Sequence, residues 1–119
     1  MRNYSLLKFV ITHANLRRGK NNLDVTICNN GDEILRNVIF LLTPIDKNNI
    51  LVEKSKQFVH ALVPGKEISV GFQVSLRASG SVLLSVTGFG NADDYFSTKS
   101  LPIKLVVEES TAKDIRTAF

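Results

Sequence analysis

The sequence predicts an all-β protein, an antiparallel β-sandwich of about seven strands. Three observations predict it. Apolar residues alternate with polar ones along most of the chain, and no stretch of the body keeps a helical period. Turn chemistry separates the alternating stretches, as in Asn30-Gly31-Asp32 and Leu62-Val63-Pro64-Gly65. The composition, 44% apolar and 22% charged over 119 residues, is that of a chain that folds around a core. A chain of this length forms one domain and buries enough apolar surface to need no metal or disulfide staple. We place the sandwich at 1–108 and a C-terminal tail at 109–119.

The first strand is expected over Tyr4 to His13, with Leu7, Phe9 and Ile11 on one face. Asn15 to Asn22 is polar, contains Gly19 and reads as a turn. Leu23 to Asn29 alternates cleanly and forms the second strand. Asn30-Gly31-Asp32 follows, where Asn and Gly tolerate positive φ. The third strand runs from Arg36 to Thr43, and Pro44 ends it because proline cannot donate to a ladder. Ile50 to Glu53 and Gln57 to Leu62 make shorter edge strands, with Lys54 and Lys56 placed to resist pairing with other chains.

Pro64-Gly65 is a turn. Glu67 to Leu76 is the cleanest half-buried strand, with Ile68, Val70, Phe72, Val74 and Leu76 inward and Ser69, Gly71, Gln73 and Ser75 outward. After Ala78-Ser79-Gly80, the strand Ser81 to Phe89 carries Val82, Leu84 and Val86 on one face. A loop is expected from Gly90 to about Thr98, then a last strand from Ser100 to Val107. In the tail, Ala112, Ile115 and Phe119 fall at helical spacing, which suits one or two helical turns or a flexible end.

The turn motifs resemble those of CARDB-type immunoglobulin-like domains of bacteria and archaea, small sandwiches of cell-surface and S-layer-related proteins. The matching residues are Asn30-Gly31, Arg36-Asn37-Val38 and Leu62-x-Pro64-Gly65-x-Glu67, within Leu23 to Val86. Adaptin-ear and fibronectin-like sandwiches share much of this pattern. The resemblance implies an immunoglobulin-like topology and a role as spacer, adhesion module or protein-binding module, and not as a catalyst.

Residues that carry chemistry are sparse. His13 and His60 lack metal-ligand spacing, and no nucleophile elbow, phosphate-binding glycine loop or dinucleotide fingerprint occurs. The reading is therefore of a non-enzyme with no cofactor and no metal. Cys28 is the single cysteine, on the strand face opposite Leu23, Val25 and Ile27, and reads as a structural thiol. It forms no internal disulfide, which suits a reducing compartment or an extracellular domain that needs no bridge. No segment approaches the ~18 apolar residues of a membrane span, and the stretch Leu6 to Ile11, short and broken by Lys8, does not read as a signal peptide. A full-length chain of this kind is expected in the cytoplasm.

Three surfaces are candidates for binding. The first is apolar residues on strand faces that should meet water: Ile39 and Leu41 opposite Val38, Phe40 and Leu42; Leu83 and Phe89 opposite Val82, Leu84 and Val86; Val106 opposite Leu105 and Val107. In an immunoglobulin-like topology these strands are neighbours, so the residues join into one patch that contacts a protein partner or a second copy. Alternatively, the tail, with Ile115 and Phe119, covers it. The second candidate is the loop end, Asn30 to Glu33 with Asn91 to Phe96, for a cation or carbohydrate. There Tyr95 and Phe96 either anchor a partner or pack back onto the sandwich. The third is the tip Arg17-Arg18-Lys20, within a net charge of +4, for an anion or, less in keeping with so compact a patch, nucleic acid.

Overall fold

The computed structural model describes residues 2–12 and 16–108. Among these residues ten strands form in chain order: β1 (Arg2–Asn3), β2 (Leu7–Thr12), β3 (Gly19–Asn29), β4 (Leu35–Pro44), β5 (Ile50–Lys54), β6 (Lys56–Leu62), β7 (Glu67–Leu76), β8 (Gly80–Phe89), β9 (Tyr95–Ser97) and β10 (Leu101–Leu105). They make two sheets. The larger has the order β1-β9-β8-β4-β6, with β10 also on β8, and the smaller has the order β2-β3-β7-β5. β4 occupies one side of β8, while β9 pairs with Thr87–Phe89 and β10 with Gly80–Leu84 on the other. The two short strands thus form one interrupted final strand. All described pairings between named strands are antiparallel except the two-residue pairing of β1 with β9.

Alternation decides which face each strand buries. Leu23, Val25 and Ile27 of β3 meet Val70, Phe72, Val74 and Leu76 of β7 in the core. Opposite them lie Val38, Phe40 and Leu42 of β4 and Val82, Leu84 and Val86 of β8. Burying these apolar faces at ~25 cal/mol per Å² is the main term favouring the sandwich.

Among the described residues the chain passes between the sheets six times, each time through a short connection. Tyr4, Ser5 and Leu6 link β1 in the larger sheet to β2 in the smaller. Ser55 alone separates β5 in the smaller sheet from β6 in the larger, and its carbonyl accepts the Leu42 N–H at 2.7 Å. Both β5 and β6 are edge strands, as the lysines predict.

Three expectations are corrected. β3 begins at Gly19, not Leu23, because Lys20, Asn21 and Asn22 pair with Ser75, Val74 and Gln73. The length of β7 extends the ladder there despite the polar side chains, and the Asn21 amide Nδ2 donates to the carbonyls of Arg17 and Gly19. The turn after β3 takes no positive φ at Asn30 or Gly31. Positive φ falls instead at Asn37 (50°), where the β4–β8 register shifts. That bulge puts Arg36 and Asn37 both outward, so that Leu35 and Val38 both reach the core. Third, the Gly90–Thr98 segment is not wholly loop: a 3-10 turn at Asn91–Asp93 leads into β9. His13 and the tail 109–119, with the helical spacing read there, lie outside the described residues.

Candidate functional site: the outer face of the larger sheet

The register brings four of the five predicted patch residues together. Ile39 pairs with Phe58 on one side and Thr87 on the other; Leu41 pairs with Lys56 and Ser85. Leu83 stands between Thr43 and Pro102, and Phe89 between Arg36 and Tyr95. Leu83 and Phe89 are therefore diagonal neighbours of Leu41 and Ile39, within reach of long side chains on a pleated surface. All four are half-buried.

Val106 is a correction. It lies beyond the end of β10 and is 57% exposed. It lies four positions beyond Pro102, the partner of Leu83, which is about 13 Å of extended chain. Lys104 stands between them, so Val106 does not join the patch.

Sequence reasoning missed Phe58. Its ring is 52% exposed and meets the His60 ring edge-on, centroids 5.0 Å apart. The alternation Gln57-Phe58-Val59-His60 shows which residues share a face. It does not show which sheet the strand joins, and β6 extends the patch only because it pairs with β4.

The two predicted loop aromatics separate, since they are adjacent on a strand. Tyr95 faces outward, 39% exposed, with its ring 5.4 Å from that of Phe89. Phe96 is fully buried against Tyr4, ring centroids 5.3 Å apart. Tyr95 thus extends the sheet patch, and Phe96 belongs to the core.

Charge is divided between the sheets. The strands of the larger sheet contain no Asp or Glu, and carry Arg36, Lys56 and Lys104 around the apolar centre. The strand carboxylates Asp24, Glu53 and Glu67 all lie on the smaller sheet. The outer face of that sheet is largely polar, with Val10 and Leu51 exposed on its two edge strands: Thr26 and Ser69 hydroxyls hydrogen-bond at 2.9 Å, and Ser75 donates to Glu53 at 2.7 Å. Cys28 is on this face, half-buried, its Sγ 3.4 Å from Asn30 Oδ1.

The other candidates have these surroundings. At the loop end, the Asn91 N–H donates to Glu33 Oε1 at 3.2 Å, which joins the two predicted loops. No group of three or more His, Cys, Asp or Glu suited to a metal ion occurs among the described residues. Arg17, Arg18 and Lys20 are exposed, and Lys20 lies 3.8 Å from Glu53. No helix among the described residues is long and apolar enough to cross a membrane.

No family model matches the chain, and no curated protein matches it by sequence. Solved structures match by fold. The GAE domain of GGA2p from Saccharomyces cerevisiae aligns with a TM-score of 0.60 at 14% identity, covering 83% of this chain and 87% of that one. Part of the native alpha-2-macroglobulin from Escherichia coli aligns with a TM-score of 0.61 at 16% identity, covering 86% of this chain and 16% of that one. The human F-spondin reeler domain aligns with a TM-score of 0.50 at 12% identity, covering 91% and 92%. At such identities the likeness is one of fold. The chain is an all-β sandwich, and these neighbours share that fold with it.

Proposed function

We propose that this domain is a non-catalytic protein-interaction module that docks a partner through the outer face of its larger sheet. The observation that carries the reading is the contrast between two outer faces of one sandwich. One is largely polar, with Val10 and Leu51 apart on opposite edge strands, and carries the strand carboxylates; the other gathers Ile39, Leu41, Phe58, Leu83, Phe89 and Tyr95 on strands that hold only cationic charge. Desolvating the apolar centre supplies affinity, and the cations set sign and register. The sign favours a different protein over a second copy. Two copies meeting through this face bring like charges together, whereas a partner with carboxylates around an apolar centre is complementary. A CARDB-like spacer or adhesion role is compatible with the turn motifs and with the same docking face.

Light scattering coupled to size exclusion, over a concentration series, separates the two kinds of partner. A concentration-stable dimer that Leu41→Lys with Leu83→Lys returns to monomer, without loss of Tm, assigns the face to self-association. With a monomer, photocrosslinkers at Phe58 and at Thr26 compare the two faces in lysate of the source cell. Adducts confined to position 58 support the proposal. Equal adducts from both faces, or adducts only from position 26, overturn it.

A further inference from the structure

A second site lies at one end of the smaller sheet, on the opposite side of the sandwich from the docking face. The turn between β4 and β5, strand β5 itself and the end of β7 enclose an open groove of about 460 Å³, lined in part by Lys47, Asn48, Asn49, Leu51, Ser75 and Arg77. Its backbone is fixed. The Asn49 and Ile50 N–H groups both donate to the Asp46 carbonyl at 3.0 Å, and the Arg77 N–H donates to the Asn49 carbonyl at 2.7 Å. The Asn49 amide Nδ2 donates to the Ser79 carbonyl at 3.2 Å. Lys47 and Arg77 are therefore displayed from a braced turn and a braced strand end.

The nearby carboxylates are engaged elsewhere. Asp46 Oδ2 accepts the Ser81 N–H at 2.7 Å. Glu53 accepts the Ser75 hydroxyl at 2.7 Å and lies 3.8 Å from Lys20. Among the described residues, neither Lys47 nor Arg77 has a carboxylate within ion-pair distance. The pairing of Gly19 with Leu76 brings the backbone after Arg17 and Arg18 beside the same strand end, on the side of β7 away from the groove.

We infer that this groove binds a phosphate-bearing anion. The Arg77 guanidinium offers a planar donor fork, Lys47 a compact charge and Asn48 an amide, the donor set that suits phosphate oxygens. Leu51, 63% exposed, gives the groove one apolar wall. That wall suits a phosphate attached to a carbon skeleton, whether a free phosphorylated molecule or a phospholipid headgroup.

The test titrates the full chain, labelled with nitrogen-15, with inorganic pyrophosphate. In parallel, the chain is sedimented with phosphatidylcholine vesicles with and without phosphatidylserine. The site requires saturable amide shifts confined to residues 47–51 and 75–77. Arg77→Ala should raise the dissociation constant about tenfold, the scale of one charge-assisted hydrogen bond. Lys104→Ala removes the same charge from the other sheet and should leave the constant unchanged. Capture by phosphatidylserine vesicles alone, with the same contrast between the two variants, assigns the phosphate to a lipid. Binding weakened equally by both variants reflects net charge and overturns the site, as does no binding to either probe. Arg77 is exposed and its backbone bond survives the substitution, so an unchanged Tm confirms that the variant folds.

Discussion

The residue that ties the sandwich together is Asn29, the one polar or charged residue fully buried among the described residues. Alternation from Leu23, Val25 and Ile27 turns it inward, and its side chain is satisfied on every side. Its Oδ1 accepts the Tyr4 hydroxyl at 2.8 Å and the Gly31 N–H at 3.0 Å. Its Nδ2 donates to the carbonyls of Glu33 at 2.8 Å and Leu62 at 3.1 Å. Its own carbonyl accepts the Gly65 N–H at 2.8 Å. The two turn motifs legible in the sequence, Asn30-Gly31 and Leu62-x-Pro64-Gly65, are thus joined in space through one amide. Asn29→Ala leaves the Leu62 carbonyl and the Tyr4 hydroxyl without that partner in the interior, and should cost about 3 kcal/mol in denaturant unfolding. Gly31 is needed for closeness and not for φ: a Cβ there would collide with the Tyr4 hydroxyl. Gly31→Ala should therefore destabilise, and Tyr4→Phe, which removes the colliding oxygen, should recover part of the loss in a double-mutant cycle. Non-additivity of the two changes is the quantity to measure.

Among the elements, legibility followed the length of each alternating run. Glu67 to Leu76 is long and half-buried, and the strand forms with the bounds its pattern gives. β9 has only three residues, and its neighbours Asp93 and Asp94 read as loop, so nothing local marks it as a strand. It is held from outside: Phe96 buries its ring against Tyr4, and Gly88 leaves room for it. A Cβ on Gly88 would lie 2.9 Å from Phe96 Cε2 and 3.1 Å from the Arg36 carbonyl oxygen. Phe96→Ala should cost about 3–5 kcal/mol. Because β1 pairs with β9, it should also raise amide exchange at Arg2–Asn3 and Tyr95–Ser97 more than in β7. Uniform exchange across all strands would show instead that β9 opens only with the whole domain. The patch was legible to the same degree. Ile39, Leu41, Leu83 and Phe89 follow from alternation on long strands. Phe58 needed the sheet assignment of β6, and Val106 was misplaced because alternation in sequence does not show where a strand ends.

At the scale of the whole molecule, the sandwich separates two kinds of surface that its sequence interleaves. Alternation sends successive residues to opposite faces, and the six passages between the sheets distribute consecutive strands between the layers. Every strand carboxylate ends on the smaller sheet, although the chain enters each sheet more than once. The two proposed contacts then lie on opposite sides of a core about 10 Å thick, with no shared side chain. Sites so separated act additively unless a discrete rearrangement connects them. Leu41→Lys with Leu83→Lys should therefore abolish docking through the larger sheet while leaving the pyrophosphate titration within error of the parent. Arg77→Ala should do the reverse. A combined variant should show the product of the two single effects, read as binding constants for each ligand. A product that fails by more than about twofold, the usual scatter of additive sites, would mean that the layers move relative to each other on binding. In that case the sheet switch at Ser55, which joins the groove strand β5 to the patch strand β6 through one residue, is the element to examine next.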